Sequence, residues 1–313
     1  MVPTAVGAVV IVFIAALLVD RLIGDPHSHW HPVALLGRFI GWWGRPENYP
    51  PRFQRLAGVV FWLVTTVLFA LPFYYFAAVT PWYLYLVIAP FLLKCCFAWR
   101  SLEEHTFAVV AALKEGVQNG RAEVKMLVSR DTANLERAHI LSAGYESMTE
   151  NLTDSIISPL FYFSLFGLAG AAIFRAANTM DAMLGYRDER IRLGWCSARM
   201  DDILNFVPAR ITVLLLLLYF AFMGKLSDAV CVMHRDGYKR PGFNGGIVMA
   251  VMAGGTGIQF EKPGVYTIGN GDKTFDEAGA DIVRACRVVT LSFTVLAVGT
   301  LFLLGSWINS TGI

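Results

Sequence analysis

Between Glu146 and Arg210, carboxylates, asparagines and arginines recur beside segments apolar enough to sit in lipid: ESMTENLTDSIISPLFYFSLFGLAGAAIFRAANTMDAMLGYRDERIRLGWCSARMDDILNFVPAR. Glu146, Glu150 and Asp154 are spaced four apart, so a helix puts all of them on one side. Asn178 and Asp181 are spaced three apart, and Asp201 or Asp202 reaches Asn205 within one turn. Ionisable groups at membrane depth are costly, which makes each a functional-site candidate. Mg2+ is usually held by one or two carboxylates completed by waters and phosphates, and Glu150, Asp154, Asp201 and Asp202 suit that role. Asn151, Asn178 and Asn205 can orient the same groups. Arg130, Arg175, Arg199 and Arg210 can grip a phosphate or carboxylate through two parallel N–H bonds. The plainer reading is a set of paired charges on juxtamembrane helices, with arginines as interface anchors and Asn178 and Asp181 bracing a helix contact.

The elements that must position these residues are set by composition. The chain has 313 residues, 56% of them hydrophobic and only 16% charged. A soluble domain carries about a quarter charged residues, so the expected class is an all-α, polytopic helical membrane protein. A net charge of +2 gives no footing for nucleic acid. Cys95, Cys96, Cys196, Cys231 and Cys286 form no CxxC pair, which points away from a zinc site and from a secreted disulfide framework.

The first apolar run, Ala5 to Val19, lacks a basic leader and reads as an uncleaved span. Arg21, Arg38, Arg45, Arg52 and Arg55 follow, so the positive-inside rule puts this loop in the cytoplasm and the N-terminus outside. The loop holds Gly24-Asp25-Pro26 and His31-Pro32 as breaks. His27, His29 and His31 alternate, so an extended strand would aim them one way, as a metal site could use. Asp25, at the lip of a span, and His31 are the substrate-binding candidates here.

Spans are expected over Leu56–Val79 and Trp82–Trp99. Ser101–Gln118 reads as an amphipathic helix, interrupted by Gly120, with a second helix from Ala122 to Val128 and a third from Leu135 through Asp154. Together residues 101–154 are expected to form a cytoplasmic helical layer within one integral membrane domain. Ile156–Phe174 carries Pro159, Gly167 and Gly170 and is the favoured re-entrant segment, because two full spans would leave the Arg-rich 175–206 stretch outside. Val207–Met223 is short. Phe243–Ile258, rich in Gly and Met, is a close-packed helix pair or a ligand-lining loop, and Val288–Ile308 is a last span. GNGDKT at 269–274 is not a phosphate loop, since Asp272 stands where that motif needs Gly before Lys.

GDPHSHWHPVALLGRFI, SRD, ESMTENLTD, RAANTMDAMLGY and SARMDDILNFVPAR, in this order, resemble the CbiB/CobD family of cobalamin-biosynthesis membrane proteins, the adenosylcobinamide-phosphate synthases. The resemblance runs from Asp20 to about Ile211. It implies a multi-pass protein of the cell membrane with a cytoplasmic active site. It also implies ATP-dependent, Mg2+-requiring amide formation between adenosylcobyric acid and (R)-1-amino-2-propanol phosphate. Its partners would be those two substrates, the lipid bilayer and other corrinoid-pathway enzymes. The chain departs from the pattern at RPGFNGGIVMAVMAGG: Pro241 is kept, Asn244 is displaced and the serine of a Ser-Pro-Asn-type motif is absent. GVYTIGNGD still fits.

Such a ligation needs an activated carboxylate, most simply an acyl phosphate, then a neutral amine. Asp181 or Glu146 is expected to take the ammonium proton, with Arg199 and Arg210 in the catalytic set. Asp201 and Asp202 are neighbours, about 100° apart on a helix, so one should face the metal and the other hold Arg199 or Arg210. The other classes considered are a Mg2+-dependent intramembrane prenyl- or alcohol-phosphotransferase and a corrinoid transporter or scaffold. NTMD and NLTD lack the four-residue aspartate spacing of the first, and no internal repeat supports the second.

Overall fold

Apolar runs bounded by Pro, Gly and charge give helices throughout, as expected of an all-α chain. The computed structural model describes residues 5–25 and 28–311, with side chains for residues 6–25 and 28–303. The helices are α1 (Ala5–Leu22), α2 (Pro32–Trp43), α3 (Gln54–Val79), α4 (Trp82–Lys94), α5 (Arg100–Glu115), α6 (Val117–Val124), α7 (Arg137–Asn151), α8 (Ser158–Leu184), α9 (Trp195–Leu204), α10 (Phe206–Phe222), α11 (Leu226–Asp236), α12 (Gly245–Thr256) and α13 (Phe275–Thr311). A π turn, Leu152–Ile157, joins α7 to α8. Among the described residues, three helical stretches are long and apolar enough to cross a membrane, or four if α9 and α10 count as one bent span. α3 shows why lipid suits it: Leu56, Leu63, Val67, Leu71, Tyr74 and Tyr75 are all exposed along its length.

The chain folds into two compact units. The first takes Met1–Ala98, Ser158–Asn205 and Thr294–Ile313; the second takes Trp99–Ile157 and Phe206–Phe293. In the first unit α8 packs on α2, α3, α4 and α9. Leu36, Ile40, Trp43, Trp62, Met180 and Leu193 fill the space between α2, α3, α8 and α9, and the Trp43 and Phe61 rings stack at 5.2 Å.

α8 is two helical arms rather than one. Gly167 sits at φ 65°, ψ −156°, a region that only glycine occupies readily. Beyond it the chain turns back. The Tyr162 and Phe174 rings stack at 5.5 Å, and a Cβ on Gly170 would lie 2.4 Å from the Tyr162 carbonyl oxygen. A straight helix would hold residues 162 and 174 about 18 Å apart. The Gly and Pro pattern of Ile156–Phe174 thus makes a helical hairpin, which is the geometry a re-entrant segment requires. α4 differs from expectation. It ends at Lys94 after 13 residues, about 20 Å of helix, short of a ~30 Å hydrocarbon core.

In the second unit α12 lies at the centre, against α7, α10 and α11, and is buried from Val248 through Thr256. The glycines of the Gly- and Met-rich stretch permit this. An added Cβ on Gly254 would meet the Asp228 carbonyl oxygen at 2.5 Å, and one on Gly255 would meet the Phe220 ring at 2.4 Å. The segment is therefore one close-packed helix, and the expected helix pair is corrected to a single element packed on its neighbours. α7 is buried on all sides from Ile140 to Thr149, so it is a core helix and not part of an amphipathic layer. The break after α5 falls at Gly116, where φ is 153°; Gly120 lies inside α6, packed on Leu113.

One element departs from the all-helical expectation. β1 (Gln259–Lys262) and β2 (Tyr266–Gly269) pair antiparallel, with Lys262 opposite Tyr266. Pro263 and Gly264 make the turn: Val265 N–H donates to the Lys262 carbonyl at 2.9 Å, and Gly264 has φ 72°. Pro at the first and Gly at the second central position is the sequence that such a turn demands.

Gly167→Ala is expected to lose about 1–3 kcal/mol to backbone strain, and Gly170→Ala about 1–3 kcal/mol to overpacking. Gly299→Ala, whose Cβ meets nothing within 4 Å, should change the melting temperature little. Thermal melting of the three variants in one detergent checks this; equal melting temperatures would contradict the hairpin.

Candidate functional site

The first unit holds an acidic clamp. Ser158 opens α8 and Asn178 lies twenty residues on, about 30 Å away along a straight helix. The reversal at Gly167 brings both to α9. Asn178 Nδ2 donates to Asp201 Oδ1 at 3.2 Å. Asn205 Nδ2 donates to Asp201 Oδ2 at 2.9 Å, and Ser158 Oγ donates to Asn205 Oδ1 at 2.5 Å. Asp201 is only 9% exposed, and Asp181 and Asp202 add negative charge beside it. Asp202 faces away and lies 3.9 Å from Arg199 on the half-solvated side. Neighbouring acids on α9 thus divide as the 100° rule requires: one clamped inward, the other bracing an arginine.

Also in this unit, Lys94 is buried and holds Asp20 at 2.9 Å and Asp25 at 2.7 Å. Its ammonium also donates to the Phe97 carbonyl at 3.1 Å. A buried lysine needs such partners. Asp25 is therefore an ion-pair anchor. His31 caps α2 by accepting the Val33 N–H on Nδ1 at 3.3 Å. Burial holds its pKa below the usual histidine value, with Lys94 and Arg175 opposing the effect of Asp25. The Nδ1 acceptor role requires the neutral ring. His31 is thus not part of an extended strand; His29 is exposed and gives its carbonyl to Arg38 at 2.9 Å. His27 lies outside the described residues.

The second unit carries a denser array. Arg130, from SRD, pairs with Glu146, and Arg240 pairs with Glu150. Glu146 and Glu150 are one turn apart on α7, on one face as their spacing predicts. Ser142 Oγ donates to Glu146 Oε1 at 2.6 Å, and Tyr266 OH donates to Glu146 Oε2 at 2.8 Å. Burial, then the Glu146 charge, pushes the Tyr266 phenol up, which keeps it a donor. Ser142 also takes the Glu261 N–H at 2.8 Å, which fixes β1 over α7. Asp154 lies in the π turn, and its charge still reaches Arg240. Lys262 sits among these groups; burial lowers its pKa, and Arg130 lowers it further.

The expected site residues therefore fall into two sets. Asp25, His31, Arg175, Asn178, Asp181, Arg199, Asp201, Asp202 and Asn205 belong to the first unit, and Arg130, Glu146, Glu150, Asp154 and Arg210 to the second. Arg210 serves the loop before α12: it donates to Asn244 Oδ1 at 2.5 Å and to the Phe243 carbonyl at 3.2 Å. Lys94, Arg240, Lys262 and Tyr266 were not singled out from sequence. The last two were signalled by the Pro-Gly turn in QFEKPGVYTIG, which places them opposite each other in a hairpin.

Among the described residues no three or more His, Cys, Asp or Glu side chains gather as a metal cage. The donors fit Mg2+ in its usual mode, where one or two carboxylates leave the remaining positions to water and phosphate oxygens. In the first unit Asp201, whose two oxygens accept from the amides of Asn178 and Asn205, would be one such carboxylate.

Asp201→Ala leaves both amide donors without their buried acceptor and should cost about 2 kcal/mol or more. Asp202→Ala, which loses a long contact to an exposed arginine, should cost under about 1 kcal/mol. Equal losses in chemical denaturation would show that Asp201 is not the anchor.

The family model described as CobD/Cbib protein matches residues 13–289. A probable cobalamin biosynthesis protein CobD of Pyrococcus abyssi is 42% identical over 281 residues, 88% of this chain and 90% of that protein. The probable CobD of Thermococcus kodakarensis is 40% identical over 300 residues, 94% of this chain and 95% of its own length. The cobalamin biosynthesis protein CobD of Dehalococcoides mccartyi is 34% identical over 272 residues, 84% of this chain and 87% of its own. No solved structure matches the chain. With matches of this length and the motifs placed as described, the chain belongs to the CobD/Cbib family.

Proposed function

We propose that this protein acts in cobalamin biosynthesis by joining the free carboxylate of adenosylcobyric acid to the amine of (R)-1-amino-2-propanol phosphate, with ATP as the driving cosubstrate. Family membership supports the pathway. The observation that carries the reaction class is the clamped Asp201, a buried carboxyl group oriented by two amide donors with Asp181 close enough to interact with it. Such a pair suits a step in which a phosphoryl group is held and a proton is removed.

The carboxylate oxygen of the corrinoid attacks the terminal phosphorus of ATP, and ADP leaves. The amine nitrogen then attacks the acyl carbon, the C–O bond to phosphate breaks, and inorganic phosphate departs. The ammonium proton goes to a carboxylate, for which Asp181 is the candidate. Mg2+, when bound, neutralises charge on the transferring phosphate. Asn178 and Asn205 fix the direction of Asp201, and Ser158 fixes Asn205, so the acceptor is set before substrate arrives. Asp202 keeps Arg199 at the rim, where a guanidinium can meet an incoming anion. The activity is assigned to the cytoplasmic face of the cell membrane, from the arginines of the first loop.

Purified protein mixed with corrinoid acid, aminopropanol phosphate, ATP and Mg2+ should yield the amide and one ADP per product, as mass spectrometry would show. Asp201→Asn should lower turnover by about 100-fold or more, the size of effect that loss of preorganised charge stabilisation produces. Corrinoid recovered unchanged, or moved into vesicles without a new bond, would overturn the reading.

A further inference from the structure

The array on α7 holds one cation, Lys262, that neither of its two ion pairs uses. Arg130 faces Glu146 and Arg240 faces Glu150. Lys262 lies between them, half-buried, at the turn end of β1. Among the described residues its ammonium makes no hydrogen bond or ion pair. It is opposite Tyr266, so both side chains project from one face of the hairpin. Tyr266 reaches Glu146 from there at 2.8 Å. The charged groups felt by Lys262 are Arg130, Glu146, Arg240 and Glu150, and Asp154 approaches from the Arg240 side.

We propose that Lys262, flanked by Arg130, Arg240 and the Tyr266 hydroxyl, is the anchor for the terminal phosphoryl group of a phosphorylated small substrate. The identification of the ligand class rests on the ligation reading above, in which both small substrates are phosphorylated. A surface lysine with no ligand to hold would extend its ammonium into water. This one is kept near two guanidinium groups, each already paired with a glutamate, so its own ammonium is the donor left for an incoming anion. Lysine binds phosphate as a point charge, and arginine can add parallel N–H bonds to the remaining oxygens. A phosphate monoester carries a charge near −2 and three acceptor oxygens. It can therefore meet Lys262 and both neighbouring guanidinium groups together, whereas a carboxylate has only two oxygens to offer. The Arg–Glu pairs hold the two guanidinium groups in place before the ligand arrives. The hairpin holds Lys262 through the Glu261 backbone, whose N–H donates to Ser142 Oγ at 2.8 Å.

The phosphoryl group can come from the phosphorylated amino alcohol or from the nucleotide. The full-length protein in detergent, titrated by calorimetry, distinguishes them. The probes are aminopropanol phosphate, aminopropanol without phosphate, and the β,γ-imido analogue of ATP. Lys262→Gln should weaken one phosphorylated probe about tenfold or more, the loss expected for a charge-assisted hydrogen bond. Lys262→Arg should restore most of that affinity, and the unphosphorylated amine should bind both variants as it binds wild type. The probe that loses affinity names the source. Unchanged binding of both phosphorylated probes to Lys262→Gln, with a wild-type melting temperature, overturns the proposal. If wild type makes no amide but still binds a phosphorylated probe through Lys262, the anchor stands and the ligation reading falls. If amide forms and Lys262→Gln leaves the KM of both phosphorylated substrates unchanged, the anchor alone falls.

Discussion

The reversal of α8 at Gly167 is the constraint on which the first unit depends. A backbone conformation that only glycine takes readily converts a long apolar helix into two arms. Ser158 and Asn178, far apart in a straight helix, then serve one hydrogen-bonded group. A carboxylate as buried as Asp201 costs several kcal/mol if unpaired. Its two amide donors, with the serine behind one of them, offset part of that penalty and fix the direction of the group. The same contacts hold α8 to α9, so the polar clamp is both a packing device and a chemical group. Close packing of the arms reinforces it, since Gly170 leaves no room for a side chain against Tyr162.

The second unit solves a comparable problem by another route. α7 is buried all round and yet carries Glu146. A buried acid on a core helix must be met by donors, and here Arg130 and Tyr266 bring them from other segments while Ser142 donates from one turn back on α7 itself. Tyr266 arrives on a β-hairpin whose turn is set by Pro263 and Gly264. The hairpin end is tied down in turn by Asp236, which accepts the Gly269 N–H at 2.9 Å while paired with Arg235 and Lys239. Elsewhere in the unit Glu103 takes two hydrogen bonds from Arg287, at 3.0 and 2.6 Å, and joins α5 to α13. Charge is buried in this unit only where a partner from another element meets it.

Helix-forming apolar runs and the four-residue spacing of Glu146 and Glu150 were legible because each is a local pattern. So was the opposed facing of Asp201 and Asp202, which follows from helix geometry alone. Gly167 and Gly170 marked a break, although a glycine pattern does not say whether the chain kinks or reverses; the stacking of Tyr162 on Phe174 decides that. Long-range partners were not legible. Lys94 reads as an interfacial lysine until Asp20 and Asp25 are brought to it from α1 and the following loop. Arg240 and Lys262 lie outside the carboxylate-rich stretch and meet it only through folding. The hairpin itself was within reach of the sequence, but its four-residue strands are short beside the surrounding helices. The placing of the helix break at Gly120 instead of Gly116 has a similar cause. Both glycines interrupt the pattern, and only the backbone angle at Gly116 shows which one ends α5.

The chain reversal can be measured directly. In a variant lacking the native cysteines, Tyr162→Cys and Phe174→Cys would be introduced together and exposed to a short thiol cross-linker of about 8 Å. The hairpin predicts efficient intramolecular bridging, because the two side chains it replaces are in contact. A continuous helix would hold the two positions about 18 Å apart, beyond the reach of the reagent. No bridging, in a protein that retains its melting transition, would contradict the reversal and with it the clamp on Asp201.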